Sequence, residues 1–311
     1  MNSSKKVIIT GASGLIGKEA LEPLQQAGFD IYALTIDDQD AWTHGCMDAR
    51  QRQITRIPCN LFDEKTLQNV FKEIKPSYLL NFAWATTGDY LTSGINFDFL
   101  KAGLNLLKCF SENNGKRAVF AGTCFEYKFK DTSLKETDEI NPQTVYAKCK
   151  NYLRELAQLY CEQNGISFGW GRIFYVYGHG ENEKRLTSQI IKSIKNRKEV
   201  IITNGNLVKD YIYSKDIAGG FVKFLDGDVT GIVNICTGKG ITLADYAMTI
   251  ANKFSRPDLI KILNEPTTQP PVIVGDNTRL IREAGYKIQY SIDMAIDNIL
   301  RNQIFKNDNN T

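Results

Sequence analysis

The first half of the chain alternates short apolar runs with segments of helical periodicity. Apolar runs predict strands at 7–10, 31–36, 52–59, 77–83, 117–122 and 166–174. Helical patterns follow the glycine turn after the first run, through Leu24, and recur at 64–74, 95–113 and 145–164. Nearly continuous apolar strands separated by helices are typical of a parallel sheet covered on both faces. The pattern therefore predicts an α/β fold with a doubly wound, Rossmann-type parallel sheet.

The pattern loosens beyond Tyr177. Glycine-rich turns, a basic helix at 184–198 and several prolines replace the regular alternation. We therefore predict a dinucleotide-binding domain at 1–174 and a smaller, mostly C-terminal substrate-binding lobe at 175–311. The chain is expected to recross to the first domain around 205–235.

Chain length, net charge and the lengths of the apolar runs limit the partners and the location that we expect. The 311 residues suit one large α/β unit with an appended lobe. A net charge of only +3 gives no reason to expect nucleic acid or an anionic membrane as a partner. The N-terminal lysines are not followed by an apolar stretch of signal-peptide length, and no apolar run approaches the roughly 20 residues of a membrane span. We expect a cytoplasmic protein.

Cysteine and histidine usage argues against metal chemistry. Seven cysteines form an odd set without a Cys-x-x-Cys pair, which is typical of reduced thiols in a cytosolic protein. The two histidines, His44 and His179, are far apart in sequence. We expect no metal site.

The segment VIITGASGLIG places Gly11, Gly14 and Gly17 directly after the first strand and at the start of a helix. Glycines there allow a tight turn, let a pyrophosphate approach bare backbone, and let the helix pack closely on the sheet. The helix N-terminus then offers free N–H groups to phosphates. This turn, which also contains Ser13, Leu15 and Ile16, predicts a dinucleotide-binding site.

A candidate catalytic pair lies early in the helix at 145–164. Tyr146 and Lys150 are four residues apart, so both side chains face the same way. An adjacent ammonium favours the phenolate and lowers a tyrosine pKa, which would let Tyr146 exchange a proton with a substrate oxygen. Thr123 ends a predicted buried strand, where α/β enzymes place their ligands.

The G-x-x-G-x-x-G spacing and the order Thr123, Tyr146, Lys150 resemble the extended branch of the short-chain dehydrogenase/reductase family. The resemblance implies that Thr123 hydrogen-bonds the reacting sugar oxygen, that Tyr146 donates or accepts the proton, and that Lys150 holds the nicotinamide ribose. The segments CNLFD (59–63) and NFAW (81–84) resemble the family's adenine-contacting segment and the strand end that lines the cofactor. The cofactor-binding residues implied are Gly11, Ser13, Gly14, Leu15, Ile16, Gly17, Thr35, Asn60, Leu61, Phe82, Ala83, Tyr146 and Lys150.

The choice between NAD and NADP depends on the end of the second strand. Aligned on the family, Thr35 takes the position of the Asp that holds the ribose hydroxyls of NAD, and Thr35 would tolerate a 2′-phosphate. Asp37 and Asp38 lie just beyond and would repel one, and no Arg is immediately at hand. Both cofactors remain open, with a slight preference for NADP(H).

Two segments resemble the family's sugar-nucleotide site. RIFYVYG (172–178) resembles the strand after the catalytic helix, and KDYIYSKDIA (209–218) resembles the motif whose leading basic residue binds the substrate diphosphate. This implies Lys209 as a phosphate contact and Arg185 as a second phosphate or sugar contact, although both also fit a solvated surface. The substrate-binding residues implied are Thr123, Cys124, Tyr175, Arg185 and Lys209.

The residues after Thr123 argue against a sugar dehydratase. Dehydratases of this family carry an Asp-Glu pair there, whereas this chain has Cys124 and Phe125, which cannot do carboxylate acid–base work. Glu126 lies one position further along, and on a strand-like segment it would face the opposite side.

A reductase is favoured over an epimerase. GTCFEY, Thr35 and QPPVIVGDNTRL resemble nucleotide-diphospho-4-keto-6-deoxyhexose reductases. UDP-galactose-type epimerases usually carry a second diphosphate-binding Arg shortly before the late Asp, whereas this chain has Pro270, Pro271 and Val272 before Asp276. Tyr175 also replaces the Asn of their R-x-F-N segment. The resemblance implies NAD(P)H-dependent reduction at C4 of a nucleotide-linked 4-keto-6-deoxy sugar in deoxysugar biosynthesis for surface polysaccharide. A 4-epimerase and a non-catalytic dinucleotide sensor are the alternatives.

The family often dimerises through the two helices beside the catalytic strand, here about 95–113 and 145–164. A homodimer is therefore expected. The apolar residues on these helices are Phe97, Leu104, Leu107, Leu153, Leu156 and Tyr160, which would also serve as core.

Overall fold

A seven-stranded parallel sheet forms the centre of the protein in a computed structural model that describes residues 5–36 and 54–308, with side chains described to residue 301. Each strand coincides with a predicted apolar run or lies in the expected recrossing. The strands are β1 (Lys5–Thr10), β2 (Phe29–Thr35), β3 (Ile54–Pro58), β4 (Tyr78–Asn81), β5 (Arg117–Thr123), β6 (Ser167–Ile173) and β11 (Gly231–Ile235).

The strand order is β3-β2-β1-β4-β5-β6-β11, and every neighbouring pair is parallel. The direction of winding reverses between β1 and β4. In open α/β sheets a ligand binds outside the carboxyl ends of the strands at this reversal. The predicted doubly wound fold is therefore confirmed, and the topology places a binding site after Thr10 and Asn81.

Helices cover both faces of the sheet. They are α1 (Gly17–Gln26), α2 (Glu64–Ile74), α3 (Ile95–Glu112), α4 (Val145–Gln163) and α6 (Ser214–Asp226). Alternate residues of β1 enter opposite cores: Val7 and Ile9 pack under α1 and α6, whereas Ile8 packs under α2, α3 and α4. Both faces of β1 are thus fully buried, which explains its continuous apolar sequence.

Side-chain caps fix the starts of α2 and α4. Asp63 accepts hydrogen bonds from the backbone N–H groups of Lys65 and Thr66 and caps α2. Thr144 accepts from the N–H of Ala147 and caps α4. These side chains satisfy N–H groups that have no partner within the helix, so both helices begin where the sequence predicted.

The second lobe contains short strands and three helices around its own core. Its elements are β7 (Tyr175–Tyr177), α5 (Leu186–Lys195), β8 (Val200–Thr203), β9 (Val208–Lys209), β10 (Tyr211–Tyr213), β12 (Ile241–Thr242), α7 (Leu243–Asn252), β13 (Ile260–Leu263), β14 (Val272–Ile273) and α8 (Ile292–Asp308). The rings of Tyr211 and Tyr246 stack at 4.0 Å in this core. Stacked aromatic rings bury a large apolar area in a small lobe.

The chain returns to the large sheet within the predicted recrossing. Helix α6 packs on α1, and β11 pairs with β6 from Gly231 to Ile235. We retain a boundary near residue 175 as a proposal. In the described part of the chain, every helix is too short or too polar to cross a bilayer.

Candidate active site

The glycine turn between β1 and α1 is built by backbone contacts. Gly11 has a φ of +67°, and a Cβ there would lie 2.8 Å from the backbone nitrogen of Ala83. A Cβ at Gly17 would collide with the carbonyl oxygen of Gly11. Only glycine fits both positions, because one needs a left-handed backbone beside β4 and the other packs α1 on the turn.

Hydrogen bonds hold the ends of β1 and β4 together beneath this turn. The hydroxyl of Thr10 donates to Asn81 Oδ1 at 2.6 Å and accepts from the N–H of Ala83 at 3.2 Å. Gly17, the first residue of α1, lines the same opening as the turn. An anion at this position would meet free N–H groups and the positive end of the helix dipole.

A cleft of about 590 Å³ runs from the glycine turn to the end of β5. The residues expected to bind cofactor that line it are Gly11, Ser13, Gly14, Leu15, Ile16, Gly17, Phe82, Tyr146 and Lys150. Gly11, Gly14 and Gly17 present bare backbone to this cleft, where a pyrophosphate could approach closely. The turn therefore fits a dinucleotide.

Four of the expected cofactor residues do not line this cleft. Thr35 ends β2 and is buried, Asn60 is exposed and accepts from the N–H of Phe62, Leu61 is half-buried, and Ala83 packs against the turn. Asp37 and Asp38 lie outside the described residues. The roles of these residues at the adenosine stay predictions.

Thr123, Tyr146 and Lys150 meet in the cleft. Thr123 is the last residue of β5, and the other two lie one turn apart at the start of α4. The side chains of Thr123 and Tyr146 both line this cleft. The N–H of Tyr146 donates to the carbonyl of Leu91 at 3.1 Å, which fixes the start of α4 against the loop after β4.

Lys150 is buried, and its ammonium has two partners. Its Nζ donates to the carbonyl of Ala121 at 2.8 Å and lies 3.9 Å from the ring centre of Trp84. Burial lowers the pKa of Lys150 to about 7, while the charge of Glu126 acts in the opposite direction. Lys150 therefore titrates close to neutral pH.

The expected lowering of the Tyr146 pKa is not what the structure shows. Burial raises the pKa of Tyr146 above its usual value, and the nearby Thr123 hydroxyl only partly opposes this. The Lys150 ammonium faces Ala121 and Trp84 instead. Tyr146 is consequently a neutral phenol at pH 7, which is the form that donates a proton.

The predicted substrate residues divide into two groups. Cys124, Tyr175 and Arg185 line the cleft together with Thr123. Lys209 is buried in β9 outside this lining, and its Nζ donates to the Pro270 carbonyl at 2.9 Å. Burial lowers the pKa of Lys209 to about 8. Its contact with a phosphate stays a prediction.

Aromatic side chains line one part of the cleft, and Tyr90 and Phe125 among them were not predicted as site residues. Tyr90 meets Tyr146 edge-on at 5.1 Å, and Phe125 meets Tyr175 edge-on at 6.1 Å. Thr86, Thr87, Glu181 and Asn182 also line the cleft. Tyr90 lies in an irregular loop, where the sequence carries no periodic signal.

The backbone after Thr123 does not continue as the strand that the sequence predicted. Residues Cys124–Glu126 form a 3-10 turn, and the Glu126 carboxylate accepts from the N–H of Thr123 at 2.9 Å. Glu126 is fully buried and is not part of the cleft lining. It is thus absent from the cleft, as expected, because the turn directs it beneath β5.

The described residues show neither an exposed cysteine nor a cluster of metal-ligand side chains. The six described cysteines are free and buried, and burial raises the pKa of Cys124, which lies in the cleft. No group of three or more His, Cys, Asp or Glu in the described ranges is arranged to hold a metal ion.

Comparison with known proteins agrees with this geometry. A spore coat polysaccharide biosynthesis protein, SpsK, of Bacillus subtilis is 25% identical over 70% of this chain and 69% of its own length. CDP-abequose synthase of Salmonella typhimurium is 25% identical over 79% of this chain and 80% of its own.

The fold is also shared with solved structures. A UDP-glucose 4-epimerase of Thermus thermophilus in complex with NAD superposes with a TM-score of 0.80 at 20% identity, covering 95% of this chain and 99% of that one. The sequence profile of the NAD dependent epimerase/dehydratase family matches residues 7–236. The chain belongs to this family, within the extended short-chain dehydrogenases/reductases.

Proposed function

We propose that this protein reduces the C4 keto group of a nucleotide-linked 4-keto-6-deoxy sugar with NADPH or NADH. The observation that carries the proposal is that Thr123, Tyr146 and Lys150 line one cleft with the glycine turn. The dinucleotide, when bound at Gly11, Gly14 and Gly17, supplies a hydride from its nicotinamide ring.

The two hydroxyls divide the work at the substrate oxygen. Tyr146 is a neutral phenol and donates its proton to the oxygen that becomes an alcohol. The Thr123 oxygen accepts from the N–H of Phe125 at 3.3 Å, so its own proton is free to donate. Two donors aimed at one oxygen stabilise the negative charge that develops there.

Lys150 acts from below this pair. Its ammonium, held by the Ala121 carbonyl and the Trp84 ring, provides a donor for a ribose hydroxyl. Lys150 is therefore proposed to orient the cofactor.

The cleft supports a reductase over a dehydratase. Cys124 and Phe125 follow Thr123, and neither is a carboxylate. Of the described residues that line the cleft, only Glu181 carries a carboxylate, and it follows β7 on the Arg185 side. Elimination of water needs a positioned acid and base beside Thr123, which these residues do not provide.

The relatives support a sugar nucleotide as substrate. One is named CDP-abequose synthase and the other a polysaccharide biosynthesis protein. We propose that Arg185 contacts the sugar nucleotide from the open side, and that Lys209 reaches the diphosphate by exchanging its bond to Pro270 for a phosphate oxygen. NADP(H) is proposed as the preferred cofactor because Thr35, unlike the Asp that holds the ribose in NAD-binding members of the family, carries no charge that would repel a 2′-phosphate.

We also propose that the protein acts as a homodimer in the cytoplasm. Leu107 and Leu153 are core residues, and Leu104 and Tyr160 pack partly against the same core. Phe97 and Leu156 are 61% and 49% exposed, beside Tyr152 and Leu159. Exposed apolar side chains on two adjacent helices fit a helical dimer interface.

The test uses purified protein with NADPH or NADH and a 4-keto-6-deoxy sugar nucleotide. We expect stoichiometric oxidation of the reduced cofactor, and a loss of about 10²–10⁴-fold in kcat in Tyr146→Phe. Tyr152→Phe, the same change at an exposed position of α4, should retain activity.

Two other outcomes identify the alternatives. Tightly held NAD⁺ that interconverts C4 epimers without net oxidation would establish a 4-epimerase. Dinucleotide binding without turnover of any sugar nucleotide would establish a sensor.

A further inference from the structure

A carboxylate lies directly beneath the predicted catalytic threonine. Glu126 is fully buried, and its Oε1 accepts from the Thr123 N–H at 2.9 Å and from Trp170 Nε1 at 3.0 Å. Its Oε2 accepts from Arg172 Nε at 2.7 Å. Glu126 therefore joins the end of β5 to two side chains of β6.

Arg172 neutralises this carboxylate away from water. Both side chains of the ion pair have no exposed surface, and the Arg172 guanidinium lies 4.3 Å from the Tyr127 ring centre. A buried charge without a partner is strongly destabilising, so the pair must remain together. Neutralised in this way, Glu126 serves as a fixed hydrogen-bond acceptor.

The surrounding backbone leaves space for this arrangement. A Cβ at Gly122 would collide with Trp170 Nε1 and lie 2.7 Å from Glu126 Oε1. Glycine at this position lets the carboxylate approach β5 closely enough to reach the N–H of the next residue. The hydrogen bond between Glu126 and the Thr123 N–H therefore depends on Gly122 in β5 as well as on the 3-10 turn.

The bonds between Thr123 and the turn run in both directions. Glu126 accepts from the Thr123 N–H, and the Thr123 hydroxyl oxygen accepts from the Phe125 N–H at 3.3 Å. Such a reciprocal cap fixes both the backbone and the side-chain direction of its first residue. Because its oxygen accepts from Phe125, the Thr123 hydroxyl keeps its own proton for a partner in the cleft that it lines.

We propose that Glu126 is a positioning residue, which holds Thr123 by accepting its backbone N–H and thereby aims the Thr123 hydroxyl at the substrate oxygen. This inference rests on the proposed role of Thr123 in chemistry at C4. It assigns to Glu126 a function without contact with substrate or cofactor.

A matched pair of double variants tests the hydrogen bond apart from the charge. Glu126→Gln with Arg172→Met, the amide variant, removes the ion pair but keeps a side-chain oxygen for the Thr123 N–H. Glu126→Met with Arg172→Met, the thioether variant, removes that oxygen as well, with little change in side-chain volume. Replacing a buried ion pair by apolar groups of similar size is often neutral for stability, so both variants are expected to fold.

The expected result is a difference in kcat between the two variants. The thioether variant should turn over the sugar nucleotide about 10- to 100-fold more slowly than the amide variant, because displacement of a catalytic group by about 1 Å has that effect. KM for the sugar nucleotide and for the dinucleotide should agree within about twofold, since no binding contact changes. Equal kcat values in two folded variants would overturn the proposal.

Two further measurements separate the possible failures. Glu136→Gln changes another partly buried carboxylate, which accepts from the Asn234 N–H, and it should leave kcat unchanged. Crystal structures of both double variants report the distance between the Thr123 and Tyr146 oxygens without any turnover.

If wild-type protein reduces no sugar nucleotide, the proposed function fails. An unchanged Thr123 position in the thioether variant would then overturn the positioning role on its own.

Discussion

The ammonium of Lys150 lies 3.9 Å from the ring centre of Trp84, in a buried cation–π contact. Trp84 is itself fixed, because its indole N–H donates to Asn96 Oδ1 at 2.8 Å and its ring stacks on Phe99. The contact holds Lys150 beneath Tyr146 and away from water. A lysine in such surroundings makes the stability of the protein depend on pH.

Lys150→Met should change that dependence. Between the folded pKa of about 7 and the ordinary value of 10.5, Lys150 binds fewer protons in the folded protein than in the unfolded chain. Wild-type stability therefore rises with pH in this window, and burial of the charged form opposes folding below it. We expect the stability advantage of Lys150→Met over wild type to shrink by up to about 4 kcal/mol from pH 6 to pH 10.

Urea denaturation of both proteins across this range measures the effect. Lys148→Met, an exposed lysine of the same helix, is the control and should follow the wild-type profile. Parallel profiles for wild type and Lys150→Met would show that Lys150 keeps an ordinary pKa.

Gly11→Ala should weaken dinucleotide binding. Its Cβ would press on the backbone of Ala83, in addition to the strain of a φ of +67°. We expect at least about a tenfold loss of affinity for NADPH, measured by calorimetric titration, because the pyrophosphate needs this turn undistorted.

Gly28→Ala is the control for Gly11→Ala, because it introduces backbone strain without a steric clash. Gly28 has a φ of +77°, and a Cβ there meets nothing within 4 Å. The substitution should lower the free energy of unfolding by about 1 kcal/mol and leave NADPH affinity unchanged. Equal losses of affinity in both variants would indicate a general loss of folding.

Arg185→Met should raise KM for the sugar nucleotide by about tenfold or more, with kcat nearly unchanged, because a charged hydrogen bond to substrate contributes about 1.5–3 kcal/mol. Steady-state kinetics at fixed NADPH measure both constants. Lys184→Met removes a neighbouring exposed charge outside the cleft and should have no effect on KM. A fall in kcat alone would assign Arg185 to the chemical step.

Leu156→Lys should convert a dimer into a monomer. It places a charge in the exposed apolar face formed by Phe97, Tyr152, Leu156 and Leu159. Sedimentation velocity gives the mass of each species. Ile262→Lys changes an apolar residue of similar exposure on β13 and should remain dimeric. A monomeric wild-type protein would remove this interface from the proposal.

Much of the fold follows from local pattern. The strands around the glycine turn were predicted because buried parallel strands are apolar on both faces, as in Val7, Ile8 and Ile9. Helix α2 was predicted with its observed bounds, since Asp63 caps its start and its apolar face repeats along the chain. Thr123, Tyr146 and Lys150 were recognised from a spacing and an order that resemble a known family.

The pKa values of those residues and the side chains around them depend on the tertiary structure. Sequence predicted that Lys150 lowers the pKa of Tyr146, but burial raises it, and burial is a property of all elements packed around the phenol. Glu126 was expected on a strand facing away, whereas a 3-10 turn brings it under Thr123 to meet Arg172, 46 residues later in the chain. Periodicity and local motifs report neighbours along the chain. Partners that meet only when β5 and β6 pair are fixed by the packing of the whole sheet.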